Sequence, residues 1–434
     1  MKPVIGIVGL AGQYEVGFAQ APDLMKQSVK ALTEHGYSVA DTQIVMYDLA
    51  TMRQAACALE SSDFDVLLVC VCTWSEDHHL LDLLSIIDKP VILWAYPNVE
   101  SGSMCGVEQI CVVFTELGRP YNHVYGEPGD PAVTREIGSV AAAAALKNRL
   151  QTVRIGTVGG RIKGMTEIAF DEFEIKKRTG VRIVNLDENE LSAASEKVAL
   201  QEAEREWERI AACNYRISSP RSLLIDSMRY YLGMKKLIAD YALEGIVVKC
   251  YPGYMGKICL GYSILAEEGI VCGCEGDVTN TVTMKILYEL TGQPINNGDT
   301  LYPDPKANTL LLAHCGCTGF STAASKEEIH LAPVRLANDG VCVLFTAKPG
   351  TVTLCNLVGR GGTMRLSVLQ GEAVPTAMEF PGNPIKVHFV KPVVDIHREI
   401  CDKGLGHHWM AGYGDVTREL EHFCKMTGLT HIAL

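Results

Sequence analysis

Residues 65–72, Asp-Val-Leu-Leu-Val-Cys-Val-Cys, are polar only at the first position. A run of eight residues is strand length, and unbroken apolarity means that both faces of the strand are buried. Two similar runs flank it, Val4 to Leu10 and Pro90 to Tyr96, separated by amphipathic stretches long enough for helices. Such alternation predicts a parallel sheet with helices on both faces.

A second cycle begins at Arg154 (RIGTVGG), continues through Val181 to Asn185, and returns at Gly245 to Cys250 and Gly269 to Cys274. The Ala-rich stretch Ser139 to Leu150 reads as the helix that closes the first cycle. After Pro294 the texture changes. Val341 to Val374 carries β-rich runs broken at Lys348-Pro349-Gly350 and Gly359-Arg360-Gly361-Gly362, the pattern of an antiparallel barrel or sandwich. Asp415 to Met426 reads as a helix with Gly428 just beyond it. The expected fold is α/β: two Rossmann-like parallel-sheet domains followed by a smaller antiparallel β-rich domain with a C-terminal helix. The expected boundaries are 1–150 (flavodoxin-like), 151–293 and 294–434.

Composition narrows the function classes. With 39 Lys+Arg against 51 Asp+Glu the net charge is -12, and no basic run stands out. Nucleic acid and acidic membrane surfaces, which need concentrated positive charge, are therefore poor partners. Val66 to Cys72 is too short to span a bilayer, and the first residues lack the pattern of a signal peptide, so a cytoplasmic protein is expected. The 16 cysteines are spread through apolar runs of a long chain, which favours reduced, buried thiols over a disulfide framework. The pairs Cys70/Cys72, Cys272/Cys274 and Cys315/Cys317 would each put both thiols on one face of a strand and are read as core residues.

Three stretches carry candidate chemistry. Val271-Cys-Gly-Cys-Glu275-Gly-Asp277-Val-Thr-Asn runs from a strand into a helix, placing Glu275 at the carboxyl edge of a sheet, where α/β proteins bind ligands. The plainer reading makes Glu275 a turn residue and Asp277 a helix cap. Asn296-Asn-Gly-Asp299-Thr-Leu-Tyr302 leads toward the apolar run Thr309 to Ala313, which ends at His314. Gly404-Leu-Gly-His407-His408-Trp409 supplies adjacent imidazoles that point different ways, so one at most ligates a metal while the other meets substrate or supports the ligands. Carboxylates and imidazole favour a hard to borderline ion such as Mn²⁺ or Mg²⁺ over structural zinc. Gly6-Ile-Val-Gly9-Leu-Ala-Gly12 does not match GxGxxG, so no dinucleotide or other organic cofactor is expected.

These motifs resemble, in order and context, those of the L-arabinose isomerase and L-fucose isomerase family. Glu275-Gly276-Asp277 looks like the first metal-ligand carboxylate motif, Asp299 in Gly-Asp-Thr-Leu-Tyr the second, and His408 in His-His-Trp the C-terminal histidine ligand. The resemblance implies a place beside the metal for His314, in contact with substrate or metal, and substrate contacts at Gln13, Tyr14 and Gln109 in the N-terminal part; His407, the partner of the ligating His408, is read as a substrate contact. It implies a homo-oligomer, trimer-based or hexameric, with sites at subunit interfaces. It also implies aldose–ketose isomerisation of a free sugar through a cis-enediol, with Glu275, Asp299 and His408 holding the cation and the two carboxylates moving the proton. The chain is shorter than typical members, and Asp at position 299 is the fucose-type residue. Arg161 and Lys163 offer charge for an anionic sugar such as sulfoquinovose, or are simply solvated loop residues. Two other readings share parts of this pattern, a sugar-binding or sensor protein without catalysis and a metal-dependent aldolase.

Overall fold

The computed structural model describes residues 2–434. The chain divides into two compact units, Met1–Arg149 with Arg418–Gly428, and Leu150–Thr417 with Leu429–Leu434.

The first unit holds five parallel strands in the order Ser38–Met46, Val4–Leu10, Val66–Val71, Val91–Ala95, Tyr121–Tyr125. This is the 2-1-3-4-5 order of a flavodoxin-type sheet. Val66–Val71 is buried at every position, as its unbroken apolar composition requires. The chain reverses direction across the sheet between Val4–Leu10 and Val66–Val71. There Gly12 N–H donates to Thr73 Oγ1 (2.8 Å) and Trp74 O (3.0 Å). A Cβ on Gly12 would stand 2.6 Å from that carbonyl oxygen, so only glycine allows the approach.

The last helix, Thr417–Thr427, completes this first unit instead of the β-rich region beside which it lies in sequence. Its amphipathic pattern explains why: Leu420, Phe423 and Cys424 are buried, while His422 bonds Asn122 Oδ1 (3.1 Å) and Glu136 Oε1 (2.9 Å). The expected 294–434 domain is corrected in this respect.

The second unit opens with four parallel strands in the order Val271–Gly273, Gly245–Val248, Arg154–Val158, Arg182–Leu186. Its antiparallel region is a barrel, not a sandwich. Six strands follow one another as Gly350–Val358, His408–Tyr413, Asn296–Asp304, Thr309–Ala313, Ile385–His388 and Arg365–Val374, and Gly350–Val358 pairs with Arg365–Val374 to close the ring. Thr430–Ala433 adds a parallel strand to Arg365–Val374. His330–Val334 and Asp339–Leu344 lie outside the barrel and pair with each other, and His330–Val334 also pairs with Arg216–Ile217 to make a small separate sheet. Cys315 and Cys317 are also displaced from expectation. They follow the end of Thr309–Ala313 in irregular backbone, because the strand stops at Ala313. Among the described residues, no helix is long and apolar enough to cross a membrane.

Candidate active site

Barrel register brings the first group of side chains together. Asp299 pairs across the ladder with His408 on one side and with Ala313, the neighbour of His314, on the other. Directly opposed residues in antiparallel strands point to the same face with their Cβ atoms about 5 Å apart, so Asp299 and His408 necessarily share a surface.

Glu275 arrives from the parallel sheet. The strand Val271–Gly273 passes into the helix Val278–Thr291 through two left-handed residues, Glu275 (φ +62°) and Gly276 (φ +78°). A non-glycine residue in that region is strained, which marks Glu275 as a position held by its surroundings. Asp277 then caps the helix, its Oδ1 accepting the Asn280 N–H at 3.0 Å.

The two groups converge on one imidazole. His408 Nε2 lies 3.1 Å from Glu275 Oε2 and 3.4 Å from Asp299 Oδ1. Its other nitrogen, Nδ1, donates to Asp277 Oδ2 at 2.8 Å, which fixes the ring so that Nε2 faces the two carboxylates. Asn356 Nδ2 donates to the His408 carbonyl at 2.7 Å and anchors its backbone. His314 Nε2 stands 3.7 Å from Glu275 Oε2. His407 turns the other way: its Nδ1 is 2.8 Å from Glu167 Oε1, and its Nε2 is 4.0 Å from Asp299 Oδ1.

Electrostatics follow from this crowding. Burial by itself would raise the Glu275 carboxyl, but hydrogen bonds and charge from His314 and His408 outweigh it and hold the group well below the usual carboxylate range. Burial would likewise depress His408, yet Asp277 and Glu275 push it up to about 9. Asp277, fully enclosed, is kept low by the same imidazole. In the metal-free chain the His408 imidazole and the Glu275 and Asp277 carboxylates thus each favour the charged form of the other.

A cation fits the same place. Glu275, His314 and His408 can offer ligand atoms within 4.8 Å of one another, as can Asp299, His407 and His408. Asp299 Oδ1 is buried and makes no hydrogen bond, an acceptor left over for another partner. Oxygen and imidazole donors of this kind suit a hard or borderline divalent ion. A hollow of ≈ 490 Å³ adjoins the group, lined among others by Glu167, Thr300, Leu301, His397 and His407. Glu275 and His408 do not line it, so it lies beside the carboxylate cluster and does not enclose it.

Of the residues singled out in the sequence, Glu275, Asp299, His314, His407 and His408 meet in the second unit. Gln13, Tyr14 and Gln109 belong to the first. Tyr14 is 96% exposed, and Gln109 Oε1 accepts the Trp74 indole N–H at 2.9 Å. Arg161 is exposed and its guanidinium reaches the Met165 carbonyl, while Lys163 is exposed. Two contributors were not anticipated. Asp277 was weighed only as a cap, although its position two residues after Glu275 was a usable signal. Glu167, in the single 3-10 turn Thr166–Ile168, left none.

Residues 300–430, which include Asp299's strand partner His408, match the L-arabinose isomerase C-terminal domain family. The chain is 24% identical over 386 residues to sulfoquinovose isomerase of Alkalicoccus urumqiensis, covering 85% of this chain and 86% of that protein. It is 22% identical over 422 residues, 93% of each chain, to sulfoquinovose isomerase of Clostridium sp. (strain MSTE9). L-arabinose isomerase of Nocardioides sp. (strain ATCC BAA-499 / JS614) is 23% identical over 349 residues, 74% of this chain and 68% of that one. The suspected resemblance is matched by these comparisons: over most of its length the chain is similar to sulfoquinovose and L-arabinose isomerases, and its residues 300–430 match the L-arabinose isomerase C-terminal domain.

Proposed function

We propose that the chain is a divalent-metal-dependent aldose–ketose isomerase acting on a free sugar through a cis-enediol, with Glu275, Asp299 and His408 as its cation-binding residues. The observation that carries this reading is the single imidazole face, His408 Nε2, set against both carboxylates and locked from behind by Asp277. When bound, Mn²⁺ or Mg²⁺ would polarise the sugar carbonyl and stabilise the negative charge of the enediolate.

The chain's own residues supply the rest. Glu275 and Asp299 are the two groups placed to take the proton from the hydroxyl-bearing carbon and return it to the adjacent carbon. His314 and His407 flank them and orient sugar hydroxyls. Gln13, Tyr14 and Gln109 are assigned to substrate contact on the family resemblance, together with a homo-oligomer whose sites lie at subunit interfaces.

Sulfoquinovose is the first sugar to try. The relatives matching most of the chain carry that name, and the loop bearing Arg161 abuts the catalytic turn: Ile162 N–H donates to the Glu275 carbonyl at 3.4 Å. Pentoses and 6-deoxyhexoses complete the panel.

The test is metal analysis followed by NMR of each sugar in D₂O. Deuterium at C1 of the ketose and C2 of the aldose, without fragments, is the expected result. Carbon–carbon cleavage products would instead make the chain an aldolase, and binding without turnover a receptor. Glu275→Gln should lower turnover by about 1000-fold or more; an enzyme that keeps most of its rate removes Glu275 from the proton-transfer pair.

A further inference from the structure

We propose that the second unit contains a separate site for a thiophilic divalent cation such as Zn²⁺, formed by Cys274, Cys317 and the Nδ1 nitrogen of His314, with Cys250 alongside. Its sulfur donors set it apart from the carboxylate cluster, with which it shares the His314 ring, one nitrogen to each side.

The donors come from three distant segments. Cys274 follows the strand Val271–Gly273, Cys250 follows Gly245–Val248, and His314 and Cys317 follow the barrel strand Thr309–Ala313. Their ligand atoms nonetheless gather: Cys274, His314 and Cys317 lie within 4.8 Å of one another, and all are buried. Cys274 Sγ stands 3.5 Å from Cys317 Sγ. Two sulfurs bound to one tetrahedral zinc at about 2.3 Å each are about 3.8 Å apart, whereas a disulfide needs about 2.05 Å. In the metal-free chain the two thiols share a hydrogen bond at 3.5 Å, a spacing that needs to open by only a few tenths of an ångström to hold a cation.

Two polar groups nearby support the assignment. His314 is 5% exposed; its Nε2 faces Glu275, but its Nδ1 is buried without a hydrogen bond. An orphaned buried nitrogen is unfavourable unless something binds it. The sulfur of Cys250 accepts the Glu275 backbone N–H at 3.3 Å, the kind of bond that stabilises charge on a ligating thiolate. A small cavity bounded by Cys250, Cys259, Cys274, Cys315, Glu275 and His314 adjoins these groups.

Binding balances without redox chemistry: the cation takes two thiolates and a neutral imidazole, and the two thiol protons leave to solvent together with the Nδ1 proton of whatever fraction of His314 is charged. With Nδ1 ligated, the remaining ring proton of His314 must sit on Nε2, making it a fixed donor toward Glu275. Occupancy of the sulfur site thus decides whether His314 is a donor or a free ligand on its other face.

The experiment is titration of the reduced full-length protein with Co²⁺, followed by displacement with Zn²⁺. One equivalent should give thiolate-to-cobalt charge-transfer absorption and the intense visible bands of tetrahedral cobalt. Cys274→Ser and Cys317→Ser should each abolish that absorption and weaken Zn²⁺ binding by about 100-fold or more, whereas Glu275→Gln should retain it. Should the cysteine variants fail to fold, X-ray absorption of the zinc-loaded wild-type chain decides the matter: at least two sulfur neighbours are expected. Only oxygen and nitrogen neighbours, a band that survives both cysteine changes, or a Cys274–Cys317 disulfide in the protein as isolated would each overturn the proposal.

Discussion

His408 does two jobs with its two nitrogens, and Asp277 makes the division possible. A cation must displace the proton that Asp277 and Glu275 hold on this ring up to about 9. Metal affinity should therefore rise with pH between about 6.5 and 9, by up to tenfold per unit, with close to one proton released per cation. Calorimetry in buffers of different ionisation enthalpy counts that proton. In the metal-free chain the same raised pKa acts on stability in the opposite sense. Its contribution is complete below the unfolded value near 6.5 and is lost as pH rises through the folded value, so the melting temperature of metal-free protein should fall over that window. Asp277→Asn separates the two roles of this residue. Asparagine caps helices as well as aspartate does, so the fold should hold. Metal affinity at pH 9, where proton competition is small, should drop by about 10–100-fold, as a metal titration beside a thermal melt would report. Glu275 was legible from sequence because it sits where an apolar strand gives way to a turn, and Asp299 because its motif resembles a known one, although it lies within the strand Asn296–Asp304 and not at a turn. The second role of Asp277 was not, since it exists only once the strand His408–Tyr413 lies beside the helix that Asp277 caps.

The decisive element is the strand-to-helix turn at Glu275-Gly276. A Cβ on Gly276 would stand 2.2 Å from the Gly160 carbonyl oxygen, a backbone atom that cannot swing aside, and φ there is +78°. Gly276→Ala should destabilise the protein by about 2 kcal/mol or more and displace Glu275, read out as a lower denaturant midpoint together with lost turnover. Sequence periodicity showed the strand, the turn and the helix, because each is a local pattern. It left barrel and sandwich undecided because closure depends on Gly350–Val358 finding both Arg365–Val374 and His408–Tyr413. The second of these partners lies far along the chain, and no local signal announces such a pairing.

At the scale of the molecule, the chain leaves its first unit at residue 149 and returns to it with Arg418–Gly428 before ending in the second. Local pattern identified that returning helix but assigned it to its sequence neighbours, since its partners Asn122 and Glu136 lie about three hundred residues earlier. Phe423, fully buried, tests the tie. Phe423→Ala should cost about 3–5 kcal/mol and speed hydrogen exchange in the helix Pro131–Leu150, far away in sequence, more than in the barrel strands. The same threading means that no single continuous stretch builds the first unit. One cut in a loop between residues 150 and 417 would leave its sheet and its returning helix on separate fragments, held together by noncovalent packing alone.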